Sequence, residues 1–510
     1  MTTETSSRPA WVTDELIAQW YAWVCQDATP RGPDGQPEDV AAAVAGARTA
    51  RPEWARLPLR RRADVVLAFH DLLLARQDQV LDLIQWETGK ARYHAWQEVA
   101  QVATIARHYA RRAGHYLAPR HVRGMVPGLT KVKEVRVPKG VVGVISPWNY
   151  PLYLGAGDAL PALLAGNAVV SKADSQTPLT LLWTRALMAE AGLPDGLWQI
   201  VTGSGAVVGT ALVDAVDFVC FTGSTATGRA VAERAARRLI GASLELGGKN
   251  PLIVREDADV AAAAAGTVVA AFANTGQMCI HIERVYVHEK VYDTFRDELV
   301  RATRALELGQ AYDYSADVGS LTSPAQLATV AAHVDGAVAK GATVLAGGRA
   351  RPDIGPLFYE PTVLEGVTAE MDVCGDETFG PVLSLYPYRT DDEAVGLANQ
   401  GTYGLSASIW SKDTRAADRM AGRIRAGSVN INDGAAAAAG SIEAGMGGMG
   451  DSGLGRRHGA EGIRKYTESQ TVARQRLMPL GPKPGAAGAV EAFVRRTNGQ
   501  LALLRKLRVR

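Results

Sequence analysis

The stretch FVCFTGSTATGRAVAERAARRLIGASLELGG, residues 218–248, contains a short apolar run, a helical segment and a second apolar run. A continuous apolar run next to glycine is typical of a strand that is buried on both faces of a parallel sheet. Gly223 and Ser224 follow the first run, where they would place free backbone amides and a hydroxyl at a helix N-terminus. The stretch therefore predicts two parallel strands joined by a helix.

The same alternation continues on both sides of this stretch. Strands that interleave with helices predict a doubly wound parallel sheet, whose ligand lies at the carboxyl ends of the strands. A second series, which begins at NPLIV, predicts a second α/β domain. The upstream strands are GVVGVIS (140–146), AVVSKA (168–173) and LWQIVTG (197–203), the upstream helices are LTLLWTRALMAEAG (179–192) and AVVGTALVD (206–214), and the downstream strands are NPLIV (250–254), ASIWS (407–411) and GSVNIND (427–433).

Two N-terminal regions have other patterns. Residues 40–118 carry apolar residues three and four apart, which predicts helices, and we assign no chemistry to them. Residues 120–138 alternate in polarity like a β-hairpin.

Composition limits the possible classes of protein. The chain has 510 residues, of which 47% are hydrophobic and 21% charged, so it can form globular domains. Its net charge of +2 gives no indication of a nucleic-acid partner. The N-terminus has no signal-peptide pattern, and the basic tail has one short amphipathic helix, so we expect no membrane contact. The four cysteines, none in a CxxC pair, suit a reducing cytoplasm and predict no metal site; they are Cys25, Cys220, Cys279 and Cys374.

Three glycine-rich segments are candidates for phosphate binding. GMGGMG, residues 445–450, fits G-x-G-x-x-G but follows no apolar strand, so we do not interpret it as a dinucleotide loop. GSGAVVG, residues 203–209, is one residue too long for that motif and is interpreted as a helix start. FTGSTATGR, residues 221–229, follows a buried strand, and its Gly223 and Ser224 either bind phosphate or simply begin a helix.

Two polar residues at strand ends are candidates for catalysis. Asn149, in ISPWNYPL, could donate to an oxyanion or could only support the turn. Glu245, in LELGGKNP, lies at an apolar strand end, where burial would raise its pKa toward that of a general base, although buried carboxylates usually pair.

Cys279, in NTGQMCIHIER (274–284), is the candidate nucleophile. A lone cysteine is often only a small buried apolar residue, but here polar residues and a glycine end an alanine-rich helix just before it. His281 is two residues away, and residues at that spacing diverge in a helix, so we expect no Cys–His pair.

Together these motifs resemble the aldehyde dehydrogenase superfamily over residues 40–475, most closely its NADP-type succinate-semialdehyde branch. Glu245 and Cys279 are 34 residues apart, as in that family. The superfamily motifs, in order, are PWNYP, GNAVVSKADSQTP, FTGSTATG, LELGGKNP, NTGQMC, ETFGPV and SGLGRRHG, and those of the branch are PLFYEPTVL, GMGGMG, GRRHG and KYTESQT.

The resemblance implies a role for each matching residue. Cys279 would attack an aldehyde, Asn149 and the Cys279 amide would form the oxyanion hole, and Glu245 would activate the water that hydrolyses the thioester. The resemblance also implies the cofactor contacts, which are Lys172 and Glu377 at the riboses, Phe379 and Trp148 near the nicotinamide, and Gly223 and Ser224 at the pyrophosphate.

The resemblance also bears on the choice of cofactor. Where NAD-preferring members carry a glutamate, this chain has Ser175. A carboxylate at that position would repel a 2′-phosphate, whereas serine beside Lys172 accepts one. We therefore expect NADP as the preferred cofactor, with NAD as an alternative.

The substrate-binding positions depart from the succinate-semialdehyde enzymes. Gly157 and Ala273 stand where those enzymes carry carboxylate-binding arginines. Ser452 matches a serine that contacts the carboxylate, and Arg284, Arg456 or Arg457 would have to supply the charge. Arg457 also replaces a glutamate proposed for proton relay in many members. Gly445 and the small residues of GAAAAAG (434–440) indicate a roomier entrance, so a larger aliphatic or aromatic aldehyde is the alternative substrate.

The resemblance implies a domain plan and an assembly. We expect a cofactor domain at 1–119 and 139–247, a catalytic domain at 248–450, and a bridging element at 120–138 and 466–476 in which the hairpin pairs with TESQTVARQR, followed by a basic tail at 477–510. Exposed edges of the hairpin predict a homodimer or homotetramer. A coenzyme A-dependent acylating enzyme and a cofactor-binding scaffold without turnover are the competing functions.

Overall fold

The computed structural model describes residues 8–22, 34–124, 130–475, 481–482, 485 and 487–506. Cys25 and parts of the predicted hairpin and C-terminal tail lie outside these residues. Contacts divide the chain into two compact units, Met1–Tyr116 with Pro138–Thr467 and Leu117–Val137 with Glu468–Arg510. The finer division of the first unit into a cofactor domain and a catalytic domain stays a prediction.

The strands are numbered along the chain. They are β1 (Arg120–Arg123), β2 (Thr130–Pro138), β3 (Val141–Ile145), β4 (Ala168–Lys172), β5 (Trp198–Val201), β6 (Phe218–Thr222), β7 (Gly241–Glu245), β8 (Asn250–Val254), β9 (Ile282–His288), β10 (Thr343–Ala346), β11 (Thr362–Glu365), β12 (Val382–Tyr388), β13 (Ser406–Trp410), β14 (Ser428–Ile431), β15 (Gly453–Leu454) and β16 (Thr467–Gln475).

The helices are numbered in the same way. They are α1 (Asp14–Ala22), α2 (Pro37–Arg56), α3 (Leu59–Ala75), α4 (Gln77–Thr88), α5 (Arg92–Tyr116), α6 (Pro151–Leu164), α7 (Pro178–Glu190), α8 (Thr210–Ala215), α9 (Thr225–Arg237), α10 (Val260–Phe272), α11 (Tyr292–Arg304), α12 (Pro324–Ala339), α13 (Asp372–Gly375), α14 (Asp391–Ala398), α15 (Thr414–Ala421), α16 (Ala436–Ala439), α17 (Gly459–Arg464) and α18 (Ala489–Lys506).

The first sheet has the strand order β15-β7-β6-β3-β4-β5. Its strands β3 to β7 run parallel, and only the two-residue edge strand β15 is antiparallel. Strands β3, β4, β5 and β6 are buried along their whole length, which agrees with their continuous apolar sequences. This confirms the predicted doubly wound sheet and places the ends of β3, β4, β6 and β7 along one edge.

The second sheet has the order β10-β11-β12-β9-β8-β13-β14. All its pairs are parallel except β10 with β11. Helices α10 and α11 pack on one of its faces, where Phe272, Phe295 and Leu299 are buried against strand residues. The second predicted series of strands and helices therefore forms a second, mostly parallel sheet within the same compact unit.

The second unit contains a three-stranded sheet of order β1-β2-β16. Strands β1 and β2 pair antiparallel, with Arg120 opposite Glu134 and Arg123 opposite Lys131. Strand β16 is exposed along most of its length. The two strands of the predicted hairpin therefore pair, with β16 beside β2, while the connection between them lies outside the described residues.

Candidate active site

The predicted catalytic residues follow strands or helices in the first unit. Asn149 lies between β3 and α6, and Glu245 is the last residue of β7. Cys279 lies between α10 and β9, after a tight turn over Ala273–Gly276. In that turn Asn274 and Thr275 have φ angles of 52° and 58°, a left-handed backbone conformation that residues other than glycine rarely adopt. The turn ends α10 and starts the loop that carries the cysteine.

Hydrogen bonds fix Asn149 beside the cysteine loop. Its side-chain amide donates to the carbonyl of Gln277 at 2.9 Å, two residues before Cys279. The Asn274 amide donates to the carbonyls of Asn149 and Gln277, at 3.2 and 3.0 Å. The Lys90 ammonium donates to the Asn149 carbonyl at 2.6 Å. The amide nitrogen of Asn149 is thereby held next to the loop that carries Cys279.

Lys90 and Glu98 form a buried ion pair behind Asn149, with an Nζ–Oε1 distance of 2.7 Å. The other Glu98 oxygen accepts from the backbone N–H groups of Leu152 and Tyr153, at 2.9 and 3.0 Å, in the first turn of α6. Burial raises the pKa of Glu98, and Lys90 and the backbone donors act against this rise.

The sequence analysis assigned no chemistry to residues 40–118 and did not identify this pair. The available signal was the position of Glu98 on the apolar face of α5, three residues after the buried Ala95 and four before the buried Val102. A carboxylate at such a position predicts a buried partner, but the partner Lys90 cannot be identified from spacing alone.

Cys279 is half-buried as a residue. Burial, together with the carboxylates of Glu377 and Glu245 and against the opposing charge of Arg457, raises the pKa of its thiol to about 12. The thiol is therefore protonated at neutral pH. The same effects place both carboxylates within electrostatic reach of the sulfur.

Glu245 is a buried carboxylate without hydrogen bonds. Its side chain is 3% exposed, and neither oxygen has a partner among the described residues. Gly447 approaches it so closely that a Cβ there would lie 3.1 Å from Oε1. The segment GMGGMG therefore forms a wall beside Glu245. Burial raises the pKa of Glu245 to about 7, while Arg457 and Lys465 oppose the rise.

A cleft of about 830 Å³ lies beside the first sheet, between α8, α9 and the π-helical turn Gly205–Gly209. Ile145 and Phe221, at the ends of β3 and β6, form its apolar floor. Ser224 caps α9, and its hydroxyl accepts from the N–H of Thr227 at 3.3 Å. The Gly223 N–H donates to the Glu245 carbonyl at 3.1 Å. This cleft opens at the carboxyl ends of the strands, where a doubly wound sheet binds its ligand.

Lys172 and Ser175 lie at the end of β4. Lys172 is buried, which lowers its pKa, and the carboxylate of Asp174 opposes this effect. Ser175 is exposed, and its hydroxyl donates to the Gly203 carbonyl at 3.1 Å. A buried cation and an exposed hydroxyl are thus available beside the cleft.

Glu377 and Phe379 belong to a loop that reaches Gly248. Glu377 accepts from the Gly248 N–H at 2.9 Å, and a Cβ on Gly247 would lie only 2.3 Å from the other Glu377 oxygen, so only glycine fits there. Phe379 has a φ of 51°, and its ring meets the Trp148 ring edge-on at 5.5 Å.

Glu283, which the sequence analysis missed, holds this loop. It accepts from the Thr378 N–H at 3.0 and 3.1 Å and pairs with the buried Lys249. His281 contacts Glu283 through Nε2 at 3.1 Å and the Met278 carbonyl through Nδ1 at 2.5 Å. The partner of His281 is therefore Glu283. The sequence analysis had no partner for His281 and expected no pair with Cys279.

The family follows from direct comparison. A model of the aldehyde dehydrogenase family matches residues 24–472. The chain belongs to the aldehyde dehydrogenase family. It is 53% identical over 458 residues to a Mycolicibacterium smegmatis protein provisionally named succinate-semialdehyde dehydrogenase (NADP+). The aligned region covers 90% of this chain and 89% of the relative.

Solved structures of the family have the same fold. An NADP-dependent enzyme from E. coli superposes with a TM-score of 0.84 at 33% identity, covering 88% of this chain and 93% of that one. An NAD-dependent aldehyde dehydrogenase from Sinorhizobium meliloti has a TM-score of 0.84 at 36% identity, covering 88% and 89%. The expected fold and enzyme class are thereby confirmed.

Two of the residues that were predicted to contact the substrate make hydrogen bonds to backbone groups inside the fold. Ser452 is fully buried, and its hydroxyl accepts from the Gly404 N–H at 2.9 Å. The Arg284 guanidinium donates to backbone carbonyls, including those of Lys249 at 2.9 Å and Ala398 at 3.3 Å. These hydrogen bonds hold the Arg284 guanidinium inside the fold, and the substrate role of both residues stays a prediction.

Arg457 is close to the site but is already paired. Its guanidinium donates to Asp158 Oδ2 at 2.6 and 3.1 Å and to the Thr222 hydroxyl at 2.5 Å. It is 5% exposed, so its guanidinium is not presented to a substrate carboxylate. Its charge nevertheless reaches both Glu245 and Cys279.

Neither a metal site nor a membrane span is found in the ranges that the structure describes. No group of three or more His, Cys, Asp or Glu side chains there could hold a metal ion. None of the helices described is long and apolar enough to cross a membrane.

Proposed function

We propose that this aldehyde dehydrogenase oxidises an aldehyde to a carboxylic acid through covalent intermediates on Cys279, with NADP as its preferred cofactor. The observation that carries the proposal is the half-buried Cys279 with the amide of Asn149 held at its loop and the unpartnered Glu245 carboxylate within electrostatic reach. These are a nucleophile, an oxyanion donor and a base, which acyl transfer requires.

The cofactor proposal fits the residues beside the cleft. The apolar cleft at the end of the first sheet would hold the adenosine, Lys172 and Glu377 the riboses, and the start of α9 at Gly223 and Ser224 the pyrophosphate. NADP, when bound, accepts the hydride released from the aldehyde carbon. Ser175 offers no carboxylate that would repel a 2′-phosphate, which supports NADP, and NAD remains an accepted alternative.

In the first half of the reaction, the Cys279 sulfur bonds to the aldehyde carbon. Because burial keeps the thiol protonated, its proton must leave as the bond forms. Asn149 and the backbone N–H of Cys279 would donate to the resulting oxyanion. The loss of one such donor typically slows acyl transfer by about 10²–10³-fold.

In the second half, Glu245 would take a proton from the water that attacks the thioester. With a pKa of about 7, this carboxylate is partly ionised at neutral pH and still basic enough to accept a proton. Hydrolysis frees the acid and returns Cys279 to its thiol form.

For the substrate, the relatives and the structure support different candidates. The 53% identical relative is provisionally named for succinate semialdehyde, which makes that acid semialdehyde the first candidate. Arg284 and Arg457 are bound inside the fold, however, and Gly157 and Ala273 provide no charge. This favours, as the second candidate, a neutral aliphatic or aromatic aldehyde.

We also propose a homodimer or homotetramer. The edge strand β16 is exposed along most of its length, and such an edge is commonly covered by another chain.

The test compares Cys279→Ala with the control Cys374→Ala, which changes a half-buried cysteine packed elsewhere. We expect reduced nicotinamide to form at the parent rate in the control and to be undetectable in Cys279→Ala. Full turnover by Cys279→Ala would refute the proposal, and an acyl-coenzyme A product would favour the acylating enzyme. Steady-state kcat/KM over acid semialdehydes and neutral aldehydes, with each cofactor, then selects the substrate.

A further inference from the structure

A buried charged cluster surrounds Asp158 on α6. Arg457 Nη2 lies 2.6 Å from one Asp158 oxygen, and Lys465 Nζ lies 3.0 Å from the other. The Tyr466 hydroxyl donates to the same oxygen as Lys465, at 2.8 Å. This charged cluster of Asp158, Arg457 and Lys465 contains two cations and one carboxylate. One positive charge is therefore left without a counter-ion inside the cluster.

The two cations of the charged cluster reach the sheet face that carries Glu245. Arg457 donates to the Thr222 hydroxyl at 2.5 Å, and Thr222 pairs with Glu245 between β6 and β7. Lys465 donates to the Ser243 hydroxyl at 3.2 Å, and Ser243 precedes Glu245 by two residues on β7. Paired residues, and residues two apart on a strand, point to the same face of a sheet. Both cations and the Glu245 carboxylate thus share one buried face.

A buried charge is costly unless an opposite charge compensates it. The charged cluster has an excess cation, and Glu245 beside it is a buried carboxylate that no hydrogen bond satisfies. We infer that Glu245 is the counter-ion of the charged cluster, and that Arg457 and Lys465 are positioning residues that keep it ionised as a base. This inference rests on the proposed role of Glu245 in hydrolysis.

The electrostatic effects agree with this geometry. Burial raises the pKa of Glu245, Arg457 and Lys465 oppose the rise most strongly, and Asp158 adds to it. In return, the charge of Glu245 helps to raise the pKa of Arg457 against burial. The titratable and charged groups that face Glu245 are Arg456, Arg457 and Lys465 near α17, Asp158 and Tyr153 on α6, and Cys279 in its loop.

An arginine at this position has a specific chemical consequence. Its guanidinium stays protonated at all working pH values, so Arg457 supplies a fixed charge and cannot exchange protons with Glu245. The charged cluster therefore sets the pH range over which Glu245 is a base, and the proton that Glu245 takes from water leaves by a route that excludes Arg457.

The test is Arg457→Met in the full-length enzyme. This change leaves Asp158 paired with Lys465, so the remaining cluster is neutral and Glu245 loses its counter-ion. We measure single-turnover hydrolysis of the acyl-enzyme against pH, because the sulfur is then a thioester and the Cys279 thiol does not titrate. Hydrolysis should be about tenfold slower below pH 7, with an apparent pKa raised by about one unit, and should recover at high pH.

The conservative variant Arg457→Lys retains a cation and should keep most of the parent pH profile. A parent-like profile in Arg457→Met, or an equal shift in Arg457→Lys, would overturn the inference. If Arg457→Met does not fold, Lys465→Met makes the same test, because it leaves the Asp158–Arg457 pair. Failure of the proposed function is distinguishable, since Glu245→Gln would then hydrolyse the acyl-enzyme at the parent rate.

Discussion

Glu98 and Glu245 are two buried carboxylates near the proposed catalytic site, and they differ in their hydrogen bonds. Glu98 accepts from the Lys90 ammonium and from two backbone N–H groups of α6. Glu245 accepts from no group in the described part of the chain, although it is 3% exposed. Burial raises the pKa of both.

The hydrogen bonds of the two carboxylates determine which of them supports the structure and which can react. A carboxylate that is fully hydrogen-bonded has no free oxygen to take a proton, so Glu98 can only hold Lys90 and, through it, the Asn149 carbonyl. A carboxylate that is buried without donors keeps its oxygens free and its basicity high. The same residue type therefore has two roles here: Glu98 supports the proposed oxyanion donor Asn149, and Glu245 is the proposed base.

The largest expected effect is that of Glu245→Gln on hydrolysis. Because glutamine cannot accept the proton from water, the single-turnover rate of acyl-enzyme hydrolysis should fall by about 10²–10⁴-fold. The unfolding free energy, measured by urea titration, should fall less than in the matched change at Glu98, since no hydrogen bond is lost and Asp158 still pairs with both cations of the charged cluster. Hydrolysis at close to the parent rate would remove the distinction between the two carboxylates.

The matched change Glu98→Gln should act on stability instead. It leaves the buried Lys90 without its counter-ion, and the removal of one partner of a buried pair typically costs about 3–5 kcal/mol. The same urea titration measures this loss, with Glu245→Gln as the control for the substitution. Equal stability of the two variants would contradict the comparison.

A smaller effect is the pH dependence of the parent enzyme. Glu245 must be ionised to act as a base, and burial raises its pKa to about 7. Hydrolysis should therefore rise about tenfold per pH unit below pH 7 and level off above it. Single-turnover rates across the pH range check this. A profile that levels off near pH 5 would mean that the base titrates like an exposed glutamate.

Much of the fold could be predicted because its signals are local. Apolar runs and glycines identified the strands of the first sheet, and the polar break at residues 274–279 identified the nucleophile loop. Glu245, at the end of an apolar run, was recognisable as a buried carboxylate. Such features depend on a few residues that are neighbours in the sequence, so the sequence alone is enough to recognise them.

The missed and misassigned residues depend on contacts between distant parts of the chain. Lys90 reaches Asn149 across 59 residues, and Arg457 reaches Asp158 across 299. Arg284 has the charge that a substrate carboxylate would need, but its side chain lies against carbonyls near the end of α14. Sequence spacing indicates which residue types are present, and only the packing of the two sheets decides which of them meet.

The most direct test of the covalent mechanism is the intact mass of Glu245→Gln after it is mixed with aldehyde and NADP. Slow hydrolysis should trap the thioester, so the mass should rise by one acyl group, and peptide mapping should place that group on Cys279. Reduced nicotinamide without any adduct, or an adduct that maps to Cys220 or Cys374, would contradict the account.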